Sequence, residues 1–157
     1  MLTAAQEKYL HKVSDVNRVV IRPWSSQAAQ FAQNLIEKIH AAMPDLEILW
    51  SGALALGISG VNDIDLSILV DPEDFEVVLP KLIPILGEPQ IKASDKILWR
   101  TSKGGHHVDA YMGSKNSDDI QLHKKLFVIL RDDKNGLSLR EYQKRKFEFY
   151  NRLLLRD

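Results

Sequence analysis

The most informative stretch of the chain is NDIDLSILV, residues 62–70. It is rich in aliphatic residues and alternates polar with apolar positions, a pattern typical of a β-strand. Alternation sends Asp63, Asp65 and Ser67 to one face of the strand and the aliphatic residues between them to the other. Two carboxylates therefore lie side by side on a strand whose opposite face is apolar.

Neighbouring carboxylates at this spacing predict a cation site. Like charges so close repel one another unless a cation lies between them, and oxygen ligands suit a hard ion such as magnesium. The alternative is structural: Asp63 caps the loop before the strand, and Asp65 is a solvated residue on a half-exposed strand. The acid-rich composition of residues 44–88, where Lys81 is the single basic residue, favours the cation site.

A third carboxylate lies in the stretch HVDAY, residues 107–111, which is also predicted to be a strand. Alternation places His107, Asp109 and Tyr111 on one face, so Asp109 can join the first two acids if the strands are neighbours. Three acids could hold two magnesium ions about 3.5 to 4 Å apart, which polarises a phosphoryl group and activates the attacking oxygen. The sequence leaves the adjacency of the two strands open.

Two glycines at residues 104–105 predict a tight hairpin turn. Counting back from this turn pairs Arg100 with Asp109 and Ser102 with His107 across the hairpin. Arg100 then lies beside the predicted cation site. It could bind a triphosphate there, or it could neutralise Asp109 as a cross-strand ion pair.

The adjacent histidines of this strand do not predict a zinc site. Because neighbouring residues on a strand point to opposite faces, His106 and His107 cannot chelate one ion together. His107 shares the face of Asp109 and is the better site candidate, as a general base or a substrate contact.

The remaining pattern predicts helices around these strands. One helix is predicted to begin at Ser25 or Ser26 and to end at Met43-Pro44. A second helix is opened by an N-cap aspartate at residues 71–74, and Pro80 and Pro84 are expected to break or kink it. The other predicted segments are helix 2–17, strands 19–21, 46–50, 89–93 and 96–102, and helices 117–131 and 138–155. Ser138, with Glu141 three residues later, is expected to cap the last helix. Three tryptophans are assigned to the core: Trp24, Trp50 and Trp99. This order predicts an α/β or α+β domain with helices against a small mixed sheet.

Composition limits the class of protein. The 157 residues fit one domain, and equal numbers of acidic and basic residues leave no net charge. A nucleic-acid partner is therefore disfavoured, and a small-molecule or protein partner is expected. The absence of cysteine excludes disulfides, and the lack of a signal peptide or a long apolar run predicts a cytoplasmic protein with no membrane association.

The turn Ser51-Gly52, the Asp63-Ile64-Asp65 strand and the later strand with His107 and Asp109 resemble the nucleotidyltransferase superfamily. The signature of that superfamily is a Gly-Ser turn, a DxD strand with hydrophobic flanks and a third acidic strand residue; the turn here has the order Ser-Gly. The resemblance implies that Ser51 and Gly52 hold the phosphates of a nucleotide through backbone N–H groups and the Ser51 hydroxyl. A glycine in an ordinary strand-to-helix turn is the alternative.

Within that superfamily the chain looks most similar to the GrpB family. The segments that carry this likeness are 50–58, 63–65, 106–107, 113–114, 122–127 and 140–144, and it covers about residues 22–150. The strand of that family usually has the sequence His-Leu-His, whereas this chain has His107-Val108-Asp109. The aspartate restores the carboxylate of active nucleotidyltransferases, which favours retained metal chemistry.

The predicted function is magnesium-dependent transfer of a nucleotidyl group from a nucleoside triphosphate to an unidentified acceptor. Asp63, Asp65 and Asp109 would hold two magnesium ions, while Ser51, Gly52, Arg100 and His107 would bind the nucleotide. The alternative is a non-catalytic GrpB-like nucleotide-binding or regulatory module, favoured by the Ser-Gly order and the short chain. An acceptor-binding surface could come from a second subunit, so a homodimer is also considered.

Overall fold

The computed structural model describes residues 22–58 and 60–154. The helices are α1 (Ser26–Ala42), α2 (Gly52–Leu56), α3 (Phe75–Leu86), α4 (Asp118–Arg131) and α5 (Leu137–Leu154), and a 3-10 turn (Pro72–Asp74) precedes α3. The strands are β1 (Glu47–Ser51), β2 (Ile64–Leu69), β3 (Ile91–Lys92), β4 (Lys96–Lys103) and β5 (His106–Gly113). The predictions for residues 2–17 and 19–21 lie outside the described residues.

The five strands form one mixed sheet in the order β1-β2-β5-β4-β3. Only the central pair, β2 and β5, is parallel; the other pairs in this described sheet are antiparallel. The two-glycine turn pairs Arg100 with Asp109 and Ser102 with His107, as the sequence predicts. The fold is α+β with a small mixed sheet flanked by helices, which confirms the predicted fold class.

One face of the sheet is the hydrophobic core. Alternate residues of β2, β4 and β5 point into it, and α1 and α3 supply the apolar side chains that cover them. The most completely buried side chains on this side are Trp99, Ile39, Ile64, Ile68, Leu82, Leu86, Met112 and Val108. Burying apolar area here supplies most of the driving force for folding, about 25 cal/mol per Å².

Helix α1 begins and ends where the sequence predicts. The Ser25 hydroxyl accepts a hydrogen bond from the Ala28 N–H at 3.1 Å and acts as the N-cap. The helix ends before Met43, whose N–H donates to the Ile39 carbonyl. Its inward side, with Leu35 and Ile39, packs on the sheet.

Helix α3 is not broken by its prolines, so of the two predicted outcomes, a break or a kink, the break is wrong. It runs continuously from Phe75 to Leu86 with Pro80 and Pro84 inside it. Each proline removes one backbone hydrogen bond, but burial of Phe75, Leu82 and Leu86 against the sheet offsets that loss. Asp71 takes the predicted N-cap position, at the start of the 3-10 turn, but its carboxylate accepts from the Ser114 hydroxyl at 3.1 Å and makes no capping hydrogen bond.

The start of α5 corrects another capping prediction. The helix begins at Leu137, so Ser138 lies inside its first turn and is not the N-cap. The Asp133 carboxylate accepts hydrogen bonds from the backbone N–H groups of Ser138 and Leu139. A carboxylate upstream of the helix therefore satisfies the first-turn donors, as a capping residue does.

The tryptophans divide between core and surface. Trp99 is fully buried, and its Nε1 donates to the Gly87 carbonyl at 2.8 Å, just after α3 ends. Trp50 is half-buried against the core. Trp24 keeps 43% of its surface exposed, so its assignment to the core was wrong, although its Nε1 donates to the Leu54 carbonyl.

Candidate functional site

The parallel pairing of β2 with β5 brings the predicted acids together. In this register Asp65 lies directly opposite Asp109, and Ser51 of β1 lies opposite Asp65 from the other side. Side chains at paired positions share one face of a sheet. The adjacency that the sequence left open is therefore present, and it places two carboxylates on neighbouring strands.

The loop before β2 is tied to the start of α1. Asn62 has a positive φ of 59°, and its side chain bonds the backbone of both Ser25 and Pro23, at 3.3 and 3.0 Å. Asparagine tolerates the left-handed region better than most residues, which suits it to this turn. The contacts fix the chain immediately before Asp63.

Asp63, His107 and Asp109 converge at one point. One ligand atom from each, two carboxylate oxygens and a ring nitrogen, all lie within 4.8 Å of one another. His107 Nε2 is 3.2 Å from Asp109 Oδ1. The predicted common face of His107 and Asp109 is thus confirmed, and His107 contacts the acidic site directly.

The Asp65 carboxylate occupies a different position, against the Ser51-Gly52 turn. Gly52 has a φ of +86°, and a Cβ built at this residue would overlap Asp65 Oδ2. A side chain at position 52 would therefore clash as well as strain the backbone. Glycine is required here because a carboxylate packs directly on the backbone, a role that the sequence left open.

Arg100 lies at the margin of the site. Its Nε is 4.0 Å from Asp109 Oδ1, which is too long for a hydrogen bond, and its side chain remains 61% exposed. An exposed pair at this distance contributes little to stability. The side chain keeps its donors available to a ligand.

A pocket of about 450 Å³ opens beside these carboxylates, on the sheet face opposite the core. Residues of α4 and α5 form its other wall. Its polar lining consists of Ser51, Asp65, Ser67, Arg100, Asp109, His123 and Tyr142, and its apolar wall includes Leu98, Leu126, Phe127 and Leu130. This volume is within the usual range for small-molecule sites, and its mixed lining is typical of them.

Tyr142 and His123 are pocket residues that the site prediction missed. Burial raises the pKa of the Tyr142 phenol, and the negative charge of Asp65 raises this pKa further. The Tyr142 phenol therefore keeps its proton to a higher pH than an ordinary tyrosine does. Both residues lie on terminal helices, whose packing on the sheet is not encoded in a local sequence pattern.

Neither a family model nor a curated protein matches this chain. Among solved structures, this chain is similar to one of Cid1 that is described for its RNA terminal uridylyl transferase activity. The TM-score is 0.50 and the sequence identity 17%, and the match covers 82% of this chain and 41% of that chain. A Cid1 poly(U) polymerase structure with bound MgGTP has a TM-score of 0.48 and 16% identity, over 82% and 42%. The likeness concerns the fold, which is nucleotidyltransferase-like, and this chain spans about two fifths of those chains.

These comparisons bear on several expectations. The structural neighbours share the fold that the superfamily resemblance implies, whereas the closer likeness to the GrpB family is not confirmed. The expectation against a nucleic-acid partner is not supported by these comparisons. Across residues 22–58 and 60–154, no helix combines the length and apolar character needed to cross a bilayer.

Proposed function

We propose that the chain is a metal-dependent nucleotidyltransferase, which moves a nucleotidyl group from a nucleoside triphosphate to an acceptor hydroxyl. The observation that carries this proposal is the pairing of Asp65 with Asp109 on adjacent parallel strands, facing the 450 Å³ pocket. Two carboxylates on neighbouring strands attract a divalent cation, and the pocket beside them has room for a nucleotide. The nucleotidyltransferase-like fold is consistent with this activity but does not decide it.

The residues present fit magnesium. Asp65 and Asp109 on two neighbouring strands and Asp63 immediately before β2 offer hard oxygen donors, and the proposal assigns two ions to the three residues. Bound magnesium would polarise the transferred phosphoryl group and lower the pKa of the acceptor hydroxyl. The negative charge of the aspartate carboxylates would attract the magnesium ions and keep them in the site.

The remaining site residues bind and orient the nucleotide. The Ser51 hydroxyl and backbone N–H groups of the turn at Gly52 would donate to phosphate oxygens, with the missing Cβ permitting close approach. Arg100 lines the pocket with donors that Asp109 does not hold tightly, so it can bind a phosphate. His107 would contact the nucleotide from beside Asp109.

Calorimetric titration tests the binding step. Each of the four nucleoside triphosphates is added to the full chain with and without magnesium, and to the Asp65→Asn variant. We expect magnesium-dependent binding by the wild type and a loss of about 100-fold or more in the variant, because a carboxylate of the cation site is removed. Asp95→Asn is the matched control, since it makes the same chemical change on an exposed residue of the β3-β4 turn.

Transfer is then measured with a triphosphate labelled at the α-phosphate, offered together with RNA 3′ ends and small hydroxyl acceptors. Label in a product supports the transferase and identifies the acceptor class. Magnesium-dependent binding with no transfer to any acceptor would instead favour the non-catalytic, GrpB-like module. The Ser51-Gly52 order of the turn, reversed from the Gly-Ser of the superfamily signature, is the observation that favours this second candidate. A cytoplasmic location and a homodimer stay predictions.

A further inference from the structure

The three convergent donors do not belong to one class of ligand. Asp63 and Asp109 offer oxygen, whereas His107 offers a ring nitrogen, and all three atoms lie within 4.8 Å of one another. Two ligands on opposite sides of one ion are separated by twice a bond of about 2.0 to 2.3 Å. The observed spacing is therefore close to what a single bound ion needs.

The ring nitrogen changes which ions the site prefers. Magnesium takes oxygen ligands and gives up its water slowly, whereas imidazole suits first-row transition metals. His107 is directed at the acids, since its Nε2 is 3.2 Å from Asp109 Oδ1, although 44% of its side chain remains exposed. An imidazole held at that distance can exchange its carboxylate contact for an ion between the two groups.

We propose that Asp63, His107 and Asp109 form a site for a divalent first-row transition metal, with His107 as the nitrogen ligand that selects it over magnesium. The proposal rests on the proposed function in one respect, because it assigns one of the two ions of that function, the one that Asp63 and Asp109 would hold, to a transition metal in place of magnesium. Asp65 is the acid left outside this donor group, and its carboxylate packs against Gly52 next to the pocket. The metal site with nitrogen ligation therefore uses Asp63 and Asp109, whereas Asp65 stays beside the turn that is proposed to hold the phosphates.

Local charge is compatible with such an ion. Within the described residues, the arginine that pairs with Asp109 is Arg100, whose Nε stays 4.0 Å from the same Oδ1 that His107 contacts. That distance is beyond hydrogen bonding, so an ion at this oxygen has only a loose competitor. The two carboxylates offset the charge of a divalent ion.

Pulsed electron paramagnetic resonance of manganese bound to the full chain tests the ligand directly. Coupling to ¹⁴N reports an imidazole on the ion, whether or not the protein has activity. We expect this coupling in the wild type and its loss in His107→Ala. His106→Ala is the matched control, because the neighbouring ring lies on the opposite face and stacks on Phe31 at a centroid distance of 4.7 Å.

A second variant keeps the test decisive if alanine disturbs strand β5. His107→Asn replaces the nitrogen donor with an amide oxygen, so the variant should still bind an ion but without nitrogen coupling. Competition titrations measure the preference for manganese over magnesium. We expect this preference to fall about tenfold or more in His107→Asn and to stay unchanged in His106→Ala.

The possible results separate this inference from the proposed function. Nucleotidyl transfer with magnesium, together with no nitrogen coupling in the wild type, keeps the function and overturns the metal site. Nitrogen coupling that disappears only in the His107 variants supports the metal site, even if no transfer is found. Coupling that persists in His107→Ala, or no manganese binding at all, overturns it.

Discussion

The two faces of the sheet use the same strands for opposite purposes. On the core face, Trp99 and Met112 are fully buried under α1 and α3. On the other face, the adjacent positions Arg100 and Asp109 are half exposed and line a pocket beneath α4 and α5. Because side chains alternate along a strand, a residue that stabilises the core is followed directly by a residue that faces the pocket.

This division indicates which substitutions should unfold the protein and which should only impair the site. The core face has no buried charge, since Ser67 is the only buried polar residue within the described part of the chain and it lies on the pocket side. The pocket face keeps its charges near solvent, where they avoid a large desolvation penalty. Substitutions on the two faces should therefore separate loss of folding from loss of binding.

The largest effect on stability is expected on the core face, for Trp99→Ala. This change removes a fully buried ring and its hydrogen bond to Gly87, so the free energy of unfolding should fall by about 3 to 5 kcal/mol. Leu98→Ala, one residue away on the half-buried pocket face, should lower it by less than half as much. Denaturant unfolding measures both; equal losses would contradict the division between the faces.

Next in size is the contrast between two glycines with positive φ. Gly52→Ala would combine backbone strain with overlap on Asp65, whereas Gly57→Ala meets no atom within 4 Å and adds only strain. We expect each substitution to lower the free energy of unfolding by about 1 to 3 kcal/mol, with Gly52→Ala at the upper end. Gly52→Ala should also bind nucleotide less well. Thermal unfolding and calorimetry measure the two effects. Similar nucleotide binding by both variants would contradict the role of Gly52 in holding the phosphates.

A smaller effect concerns Tyr142 and alkaline pH. Its pKa is raised in the folded state, so the stability it contributes is present below the unfolded pKa of about 10 and is lost as pH rises through the folded pKa. Asp65→Asn removes the second cause of the shift and leaves burial, so the pKa of Tyr142 should fall only part of the way. Ultraviolet titration of tyrosinate measures it, with Tyr142→Phe identifying the signal. An unchanged pKa in Asp65→Asn would exclude their electrostatic contact.

The smallest effect is expected where α4 is held to the sheet by charge. Lys124 Nζ lies 2.7 Å from Glu47 Oε1, with the carboxylate more than half exposed. Lys124→Met should lower the free energy of unfolding by about 0 to 1 kcal/mol, and added salt should reduce the difference from wild type. Chemical unfolding at low and high salt checks this. A loss like that of Trp99→Ala would mean that the pair is far more important than its exposure indicates.

The sequence predicts local features of the site better than long-range ones. The glycine turn sets the partners of Arg100 and Asp109 because the register follows by counting. Whether β2 lies beside β5 depends on packing between distant segments, and no local pattern encodes it. The continuous helix through Pro80 was missed because burial overrides local preference. The cap from Asp133 was missed because this nearby carboxylate, rather than Ser138, satisfies the first-turn donors.

The parallel pairing of β2 and β5 also has a consequence for the order of folding. The hairpin of β4 and β5 closes a two-residue turn, whereas Asp65 and Asp109 meet only after a long intervening segment has been brought back to the sheet. Closing a longer loop has a larger entropic cost, so contacts distant in sequence form more slowly. We expect the hairpin to form early during refolding, and the carboxylates of β2 and β5 to come together only late.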